Sequence, residues 1–220
     1  MNKNLLKIGL SIFAIILGFF LLVQPLNKNN FIEEKEPNLT TEERLLIENR
    51  LQEVQKKLLE ATTENEKFNA QMQIGFQQYG LGQYKEAKET FLKAADLEPD
   101  NYVVYVALYQ VELDRQDNQS ARKNIKKALA LKEENPDLWR KYIQLETDRF
   151  FANDDQLKDL YLEALTRTNS HVDMLAFYAQ FLEKSNDLKS ALDIWKKAYE
   201  QIPDPLYQEE IERLEALLKL

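Results

Sequence analysis

No cysteine occurs among the 220 residues, which excludes disulfides, thiolate metal sites and cysteine nucleophiles together, without identifying a compartment. Histidine occurs once, as His171 after Asn169-Ser170, in the setting of a solvated turn rather than of a metal ligand or general base. No Gly-rich phosphate loop, H-E-x-x-H or G-x-S-x-G run is present. The adjacent carboxylates Glu33-Glu34, Glu42-Glu43, Glu133-Glu134 and Glu209-Glu210 point in different directions on a helix and read as solvated faces. Asp154-Asp155 lacks the further spaced ligands of a calcium loop. The expectation is a non-enzymatic chain without metal or cofactor. Asn38-Leu39-Thr40 and Asn118-Gln119-Ser120 match a glycosylation sequon that arises readily by chance.

Glycine (5) and proline (6) are scarce, while Leu, Ala, Glu, Lys and Gln are abundant, so the intrinsic preference along most of the chain is helical and the expected class is all-α. Acidic residues are missing before residue 27, where Lys3 and Lys7 lie. Residues 27 to 220 therefore carry 27 basic and 37 acidic groups, a net charge of −10. Such a surface repels phosphate backbones, which disfavours nucleic acid as a partner.

One long hydrophobic run stands out. From Ile8 to Asn27 no residue is charged, and IGLSIFAIILGFFLLV, Ile8 to Val23, is almost purely apolar. At about 1.5 Å per residue, roughly 20 helical residues cross a hydrocarbon core of ~30 Å. Residues 1–26 are thus read as a single-pass signal anchor that meets the membrane through residues 8–27. Lys3, Lys7 and the α-amino group precede the run, whereas acidic residues crowd its far side, which places the amino terminus in the cytoplasm and the rest outside it. A cleaved signal peptide is the rival reading, but the exit Leu22-Val23-Gln24-Pro25-Leu26 lacks the small residues of a cleavage site.

Residues 27–39 are polar, contain Pro37 and read as a tether. Residues 40–62 open with a capping box, Thr40 and Glu43, and carry an apolar stripe, Ile47, Leu51, Val54 and Leu58. That stripe is too short for a self-standing coiled coil, and three uses are open. The helix packs on the amino-terminal end of the following domain, folds into its groove, or forms the stalk of a homo-oligomer.

From Thr63, whose capping box is closed by Glu66, to Pro203 the sequence repeats. The frames start at Phe68, Tyr102, Pro136 and Val172, evenly spaced except that the third is two residues longer. The first frame has Ile74-Gly75, Ala87, Phe91, Ala94 and Pro99; the second Tyr105, Leu108, Ala121, Ile125 and Ala128. The third has Trp139, Tyr142, Tyr161 and Ala164, and the fourth Leu175, Tyr178-Ala179, Ala191, Trp195, Ala198 and Pro203. Small residues let antiparallel helices approach at the short end of the ~8–10 Å range, and large ones plug the spaces between them. Gly80, Gly82, Asp117-Asn118, Asn153-Asp154-Asp155 and Asn186-Asp187 supply mid-frame turns. Residues 204–220 add a polar-backed helix that covers the last repeat, with Leu206, Ile211, Leu214, Leu217 and Leu218 on its apolar side.

These residues resemble the tetratricopeptide-repeat (TPR) consensus, which implies an α-solenoid of about four helix-turn-helix hairpins. The third frame departs from it, with no small residue after Tyr142, Leu157 in place of Ala and two extra residues at the turn. Its Trp139, Tyr142 and Glu146 also look like the related half-a-TPR repeats. The resemblance further implies that the first helix of each hairpin lines a groove for protein or peptide partners. By repeat position the groove residues are Met72, Phe76 and Tyr79, then Val103, Val106, Gln110 and Leu113, then Arg140, Gln144 and Thr147, then Gln180: an apolar first half and a polar second half. The clamp for chaperone tails that some members carry is not implied, since its basic and amide positions fall on Met72, Phe76, Ala107, Asp137 and Lys141. The layout, an anchor followed by an acidic repeat domain, resembles bacterial envelope proteins that assist secretion, pilus assembly, cytochrome maturation or folding.

Overall fold

A computed structural model describes residues 37–219. The anchor, its orientation and most of the tether fall outside that range; within it, no helix is long and apolar enough to cross a membrane. Among the described residues ten helices follow in order: α1 (Thr41–Glu60), α2 (Glu64–Gly80), α3 (Tyr84–Leu97), α4 (Tyr102–Asp114), α5 (Asn118–Leu131), α6 (Pro136–Phe150), α7 (Asp154–Arg167), α8 (Val172–Lys184), α9 (Leu188–Gln201) and α10 (Pro205–Leu218). Each packs mainly on its sequence neighbours, which makes the domain an all-helical solenoid of hairpins.

Local chemistry starts and stops the helices where the pattern requires. Thr40 and Thr63 accept the Glu43 and Glu66 N–H groups, whose carboxylates accept the cap N–H in return. Those backbone hydrogen bonds hold both carboxyls below the usual range. Inside the hairpins a left-handed residue recurs at one repeat position: Gly82 (φ 76°), Gln116 (φ 58°) and Asn186 (φ 60°). Immediately after it, the N–H of Gln83, Asp117 or Asp187 reaches back five residues to the carbonyl of Gln78, Glu112 or Leu182 at 2.8–2.9 Å, closing the end of the first helix. Asp117 and Asp187 then cap the second helix through the N–H groups of Ser120 and Ser190.

The small residues occupy the close crossings. Ala87, Ala94, Ala121, Ala128, Ala191 and Ala198 are all 0% exposed, and around them Phe91, Leu108, Ile125 and Trp195 fill the core. Ala198→Leu is expected to lower stability by about 1–3 kcal/mol, since three more heavy atoms have no space there. Urea unfolding followed by far-UV circular dichroism checks this; an unchanged midpoint would show that α9 does not sit at a close crossing.

The stripe on α1 is taken up by α2: Val54, flanked by Leu51 and Leu58, packs on Ala70 and Ile74, and Ile47 lies beside Gly80. The stripe is therefore neither in the groove nor free for a stalk. At the other end α10 buries only Ile211 and Leu214 against α9. Leu206, Leu217 and Leu218, assigned from sequence to the covering side, are 66%, 47% and 38% exposed. With about 3.6 residues per turn, Leu206 lies well over a quarter-turn away from Ile211, too far round the helix to reach α9.

The third hairpin is the irregular one. Its turn places Phe151 in the left-handed region (φ 53°), and the closing bond runs from Ala152 N–H six residues back to the Glu146 carbonyl. Ile143 and Leu157, both large and both buried, meet where the other hairpins have at least one small residue. Helices α6 and α7 are accordingly held less closely than the helices of the other hairpins, and α6 touches α8 as well.

Candidate functional site

The first helices of the hairpins, α2, α4, α6 and α8, carry the residues expected to line the groove, and the structure treats them unequally. Met72 is 7% exposed and belongs to the core with Phe68, Tyr84 and Phe91, so it is a packing residue and not part of a binding patch. Its place in α2 turns it toward α3, where apolar burial outweighs exposure. Tyr79 is half-buried: its hydroxyl donates to the Asp114 carboxylate, and its ring meets Tyr84 edge-on at 5.5 Å. Burial first, and Asp114 second, push its phenol well above the usual range. Phe76 is 47% exposed, and Val103 is 40% exposed. Val106 and Leu113 are half-buried, and Gln110 donates to Asp114 at 3.2 Å. Of the apolar first half expected for the groove, only Phe76 and Val103 are thus exposed, with Tyr79, Val106 and Leu113 half-buried and Met72 buried.

Toward the carboxyl end the expected polar residues border a cleft of about 370 Å³ between α6, α7 and α8. Arg140, Gln144, Thr147 and Asp148 come from α6, and Gln180 and Lys184 from α8. The wall is aromatic. Tyr161 of α7 stacks on Phe181 at 5.0 Å and on Tyr178 at 5.5 Å, and Arg140 lies over the Phe177 ring at 5.3 Å. One Arg140 Nη2–H is held by Asp137 on the same helix at 3.0 Å. Sequence phase alone assigned Arg140, Gln144, Thr147 and Gln180 here but missed Tyr161, Phe177, Phe181 and Lys184. The signal that could have found them is the third frame itself, whose large residues at the helix crossing hold the hairpin open.

A second recurring feature links successive hairpins. The buried Glu112 carboxylate of α4 accepts from Lys88 of α3 at 2.5 Å and from Arg115 at 3.1 Å. One frame later, Glu146 of α6 accepts two bonds from Arg122 of α5, the Nε–H bond being 2.6 Å. Both pairs join one hairpin to the next, and the bonding to Glu146 raises the Arg122 guanidinium pKa. In the fourth frame the position is Leu182, which has no carboxylate to make such a pair.

His171 caps α8, its Nδ1 accepting the Asp173 N–H at 3.3 Å. Among the described residues no group of three potential metal ligands comes together.

No family model matches the chain. Its helices superpose on those of solved structures with which it shares little sequence. A tetratricopeptide repeat protein from Parabacteroides merdae ATCC 43184 gives a TM-score of 0.55 at 11% identity, over 79% of this chain and 67% of that one. YrrB, described as a TPR protein with an unusual peptide-binding site, gives 0.50 at 18% identity, over 77% and 84%. MamA gives 0.52 at 16% identity, over 71% and 83%. The fold is that of the TPR proteins. On this solenoid the uncovered side of the first helices includes Phe76 on α2, Val103 on α4, Arg140 and Gln144 on α6 and Gln180 on α8. Helix α1 packs along α2 and leaves Phe76 exposed.

Proposed function

We propose that the chain is a membrane-tethered TPR module that binds other proteins through the uncovered faces of its first helices. The observation that carries this reading is that run of exposed residues, apolar at Phe76 and Val103 and polar at Arg140, Gln144 and Gln180, on an otherwise well-packed solenoid. Exposed apolar side chains adjoining hydrogen-bonding groups mark a contact surface for protein segments. Extension of a peptide-binding role from YrrB to this chain rests on the shared fold alone. The tether in this reading is the apolar run Ile8 to Val23, and the charge asymmetry around it supports an extracytoplasmic domain, where the module would act in assembly, secretion or folding.

Two measurements test this. Protease added to spheroplasts should degrade the repeat domain while a cytoplasmic control survives; protection of both reverses the orientation. Affinity capture from the protein's own membranes should recover partners that the double variant Phe76→Ser, Val103→Ser no longer recovers. The circular-dichroism signal of the variant should be unchanged, because both side chains are largely exposed. Partner recovery equal to that of the parent would remove the first two hairpins from the binding surface.

A further inference from the structure

The cleft opened by the third hairpin has the dimensions and lining of a side-chain pocket. Its volume of about 370 Å³ lies near the lower end of the ~300–1,000 Å³ range of ligand pockets. A helix about 10–12 Å across does not fit such a space, whereas one bulky side chain of an extended segment does. The wall offers the half-buried rings of Tyr161 and Phe177 and the edge of the buried Phe181, which is stacked on Tyr161, and these favour an aromatic ring in an edge-to-face arrangement. Gln144, Thr147 and Gln180 stand at the rim with donors and acceptors for the backbone on either side of that ring.

The charges that face the cleft come from two helices. Helix α6 gives Arg140 and Asp148, α7 gives none, and α8 gives Lys184. The lining residues thus hold two cations against the single carboxylate of Asp148, with Asp137 beside Arg140 as a second carboxylate, whereas residues 27 to 220 as a whole are net −10. Asp137 engages one arm of the Arg140 guanidinium, a group with five N–H donors in all. We propose that the cleft binds an extended acidic peptide segment, seating one aromatic side chain against Tyr161 and Phe181 while flanking carboxylates meet Arg140 and Lys184. The proposal rests on the protein-binding reading above and assigns its main anchor to the irregular hairpin.

Fluorescence anisotropy with the full chain in detergent micelles tests it, using fluorescein-labelled Gly-Ser-Glu-Phe-Glu-Ser-Gly, a counterpart with Lys for both Glu, and one with Ala for Phe. The Glu-Phe-Glu peptide should bind on the order of tenfold more tightly than either counterpart. The double variant Arg140→Glu, Lys184→Glu, altering two exposed side chains, should invert the preference between the acidic and basic peptides. Thr147→Trp, which fills the mouth of the cleft, should weaken binding by a similar factor with an unchanged urea midpoint. Equal binding of the acidic and basic peptides, no binding of the acidic one at millimolar concentration, or a preference unaltered by the charge reversal would each overturn the proposal. Captured native partners that survive the charge reversal, with no acidic-peptide binding, would sink the cleft and leave the protein-binding reading standing. Absence of any native partner, with the peptide order as expected, would sink the broader reading instead.

Discussion

Glu146→Ala is expected to destabilise the domain by about 3 kcal/mol, the lower end of the ~3–5 kcal/mol seen when one member of a buried ion pair is removed. The Glu146 side chain is only 4% exposed and binds the Arg122 guanidinium through both carboxylate oxygens. Its loss leaves the Arg122 guanidinium between α5 and α6 with the Tyr142 hydroxyl and the Phe150 ring, whose centre is 4.1 Å from the guanidinium carbon, as neighbours in place of its carboxylate, in a cleft that Asp159 and Glu163 also border. Arg122 itself is 37% exposed, so water partly re-solvates it, which is why the lower end applies. Replacing the whole pair, Glu146→Leu with Arg122→Leu, should cost far less than Glu146→Ala, because no charge is then left unpaired. Urea midpoints of the three chains decide it. A Glu146→Ala midpoint equal to that of the parent would mean that the pair does not join the second and third hairpins.

Gly75→Ala is expected to cost about 3 kcal/mol, at the upper end of ordinary overpacking. A Cβ built on Gly75 falls 2.5 Å from Cε1 of Phe91 and 2.8 Å from its Cδ1 and Cζ. That ring is 1% exposed and is met edge-on by Phe76 at 5.1 Å, so it has no space into which to move. Phe91→Leu in the same chain removes Cε1 and Cζ, two of the three obstructing atoms, and should recover part of the loss, giving a double variant more stable than the sum of the single effects. Gly80→Ala is the internal control: the added methyl meets only Ile47 at 3.7 Å, an ordinary contact, and should be neutral or mildly stabilising. Strict additivity between Gly75→Ala and Phe91→Leu would show that the clash is relieved elsewhere.

The repeat phase was legible because it is written in residue types with one physical use. Ala87, Ala121 and Ala191 recur at one repeat position, where a small residue marks a crossing, and each is fully buried. Capping boxes at Thr40 and Thr63 likewise name their own helix starts. Side-chain direction was less legible. Met72 and Phe76 lie one helical turn apart, and period alone puts both on the groove side. Packing against α3 takes Met72 into the core and leaves Phe76 exposed. The inter-hairpin pairs were invisible for a different reason: Glu112 and Glu146 look like ordinary helix carboxylates until Lys88 and Arg122, each from the preceding hairpin, are brought beside them. The third frame was visibly aberrant in sequence, but the aromatic wall it exposes depends on where α8 lies, which no local pattern states.

The unequal hairpins also determine how this array responds to load. Repeats stacked in a row act like springs in series, each interface passing force only to the next. The close crossings at Ala121 and Ala191 and the charged clasps at Glu112 and Glu146 are stiff links. Between them sits α7, which meets α6 and α8 less extensively than the helices of the other hairpins meet each other, next to a frame with Leu182 at the clasp position. Compliance is therefore concentrated at one joint, and a pull on the two ends of the array would lengthen it there first, at the hairpin that frames the cleft.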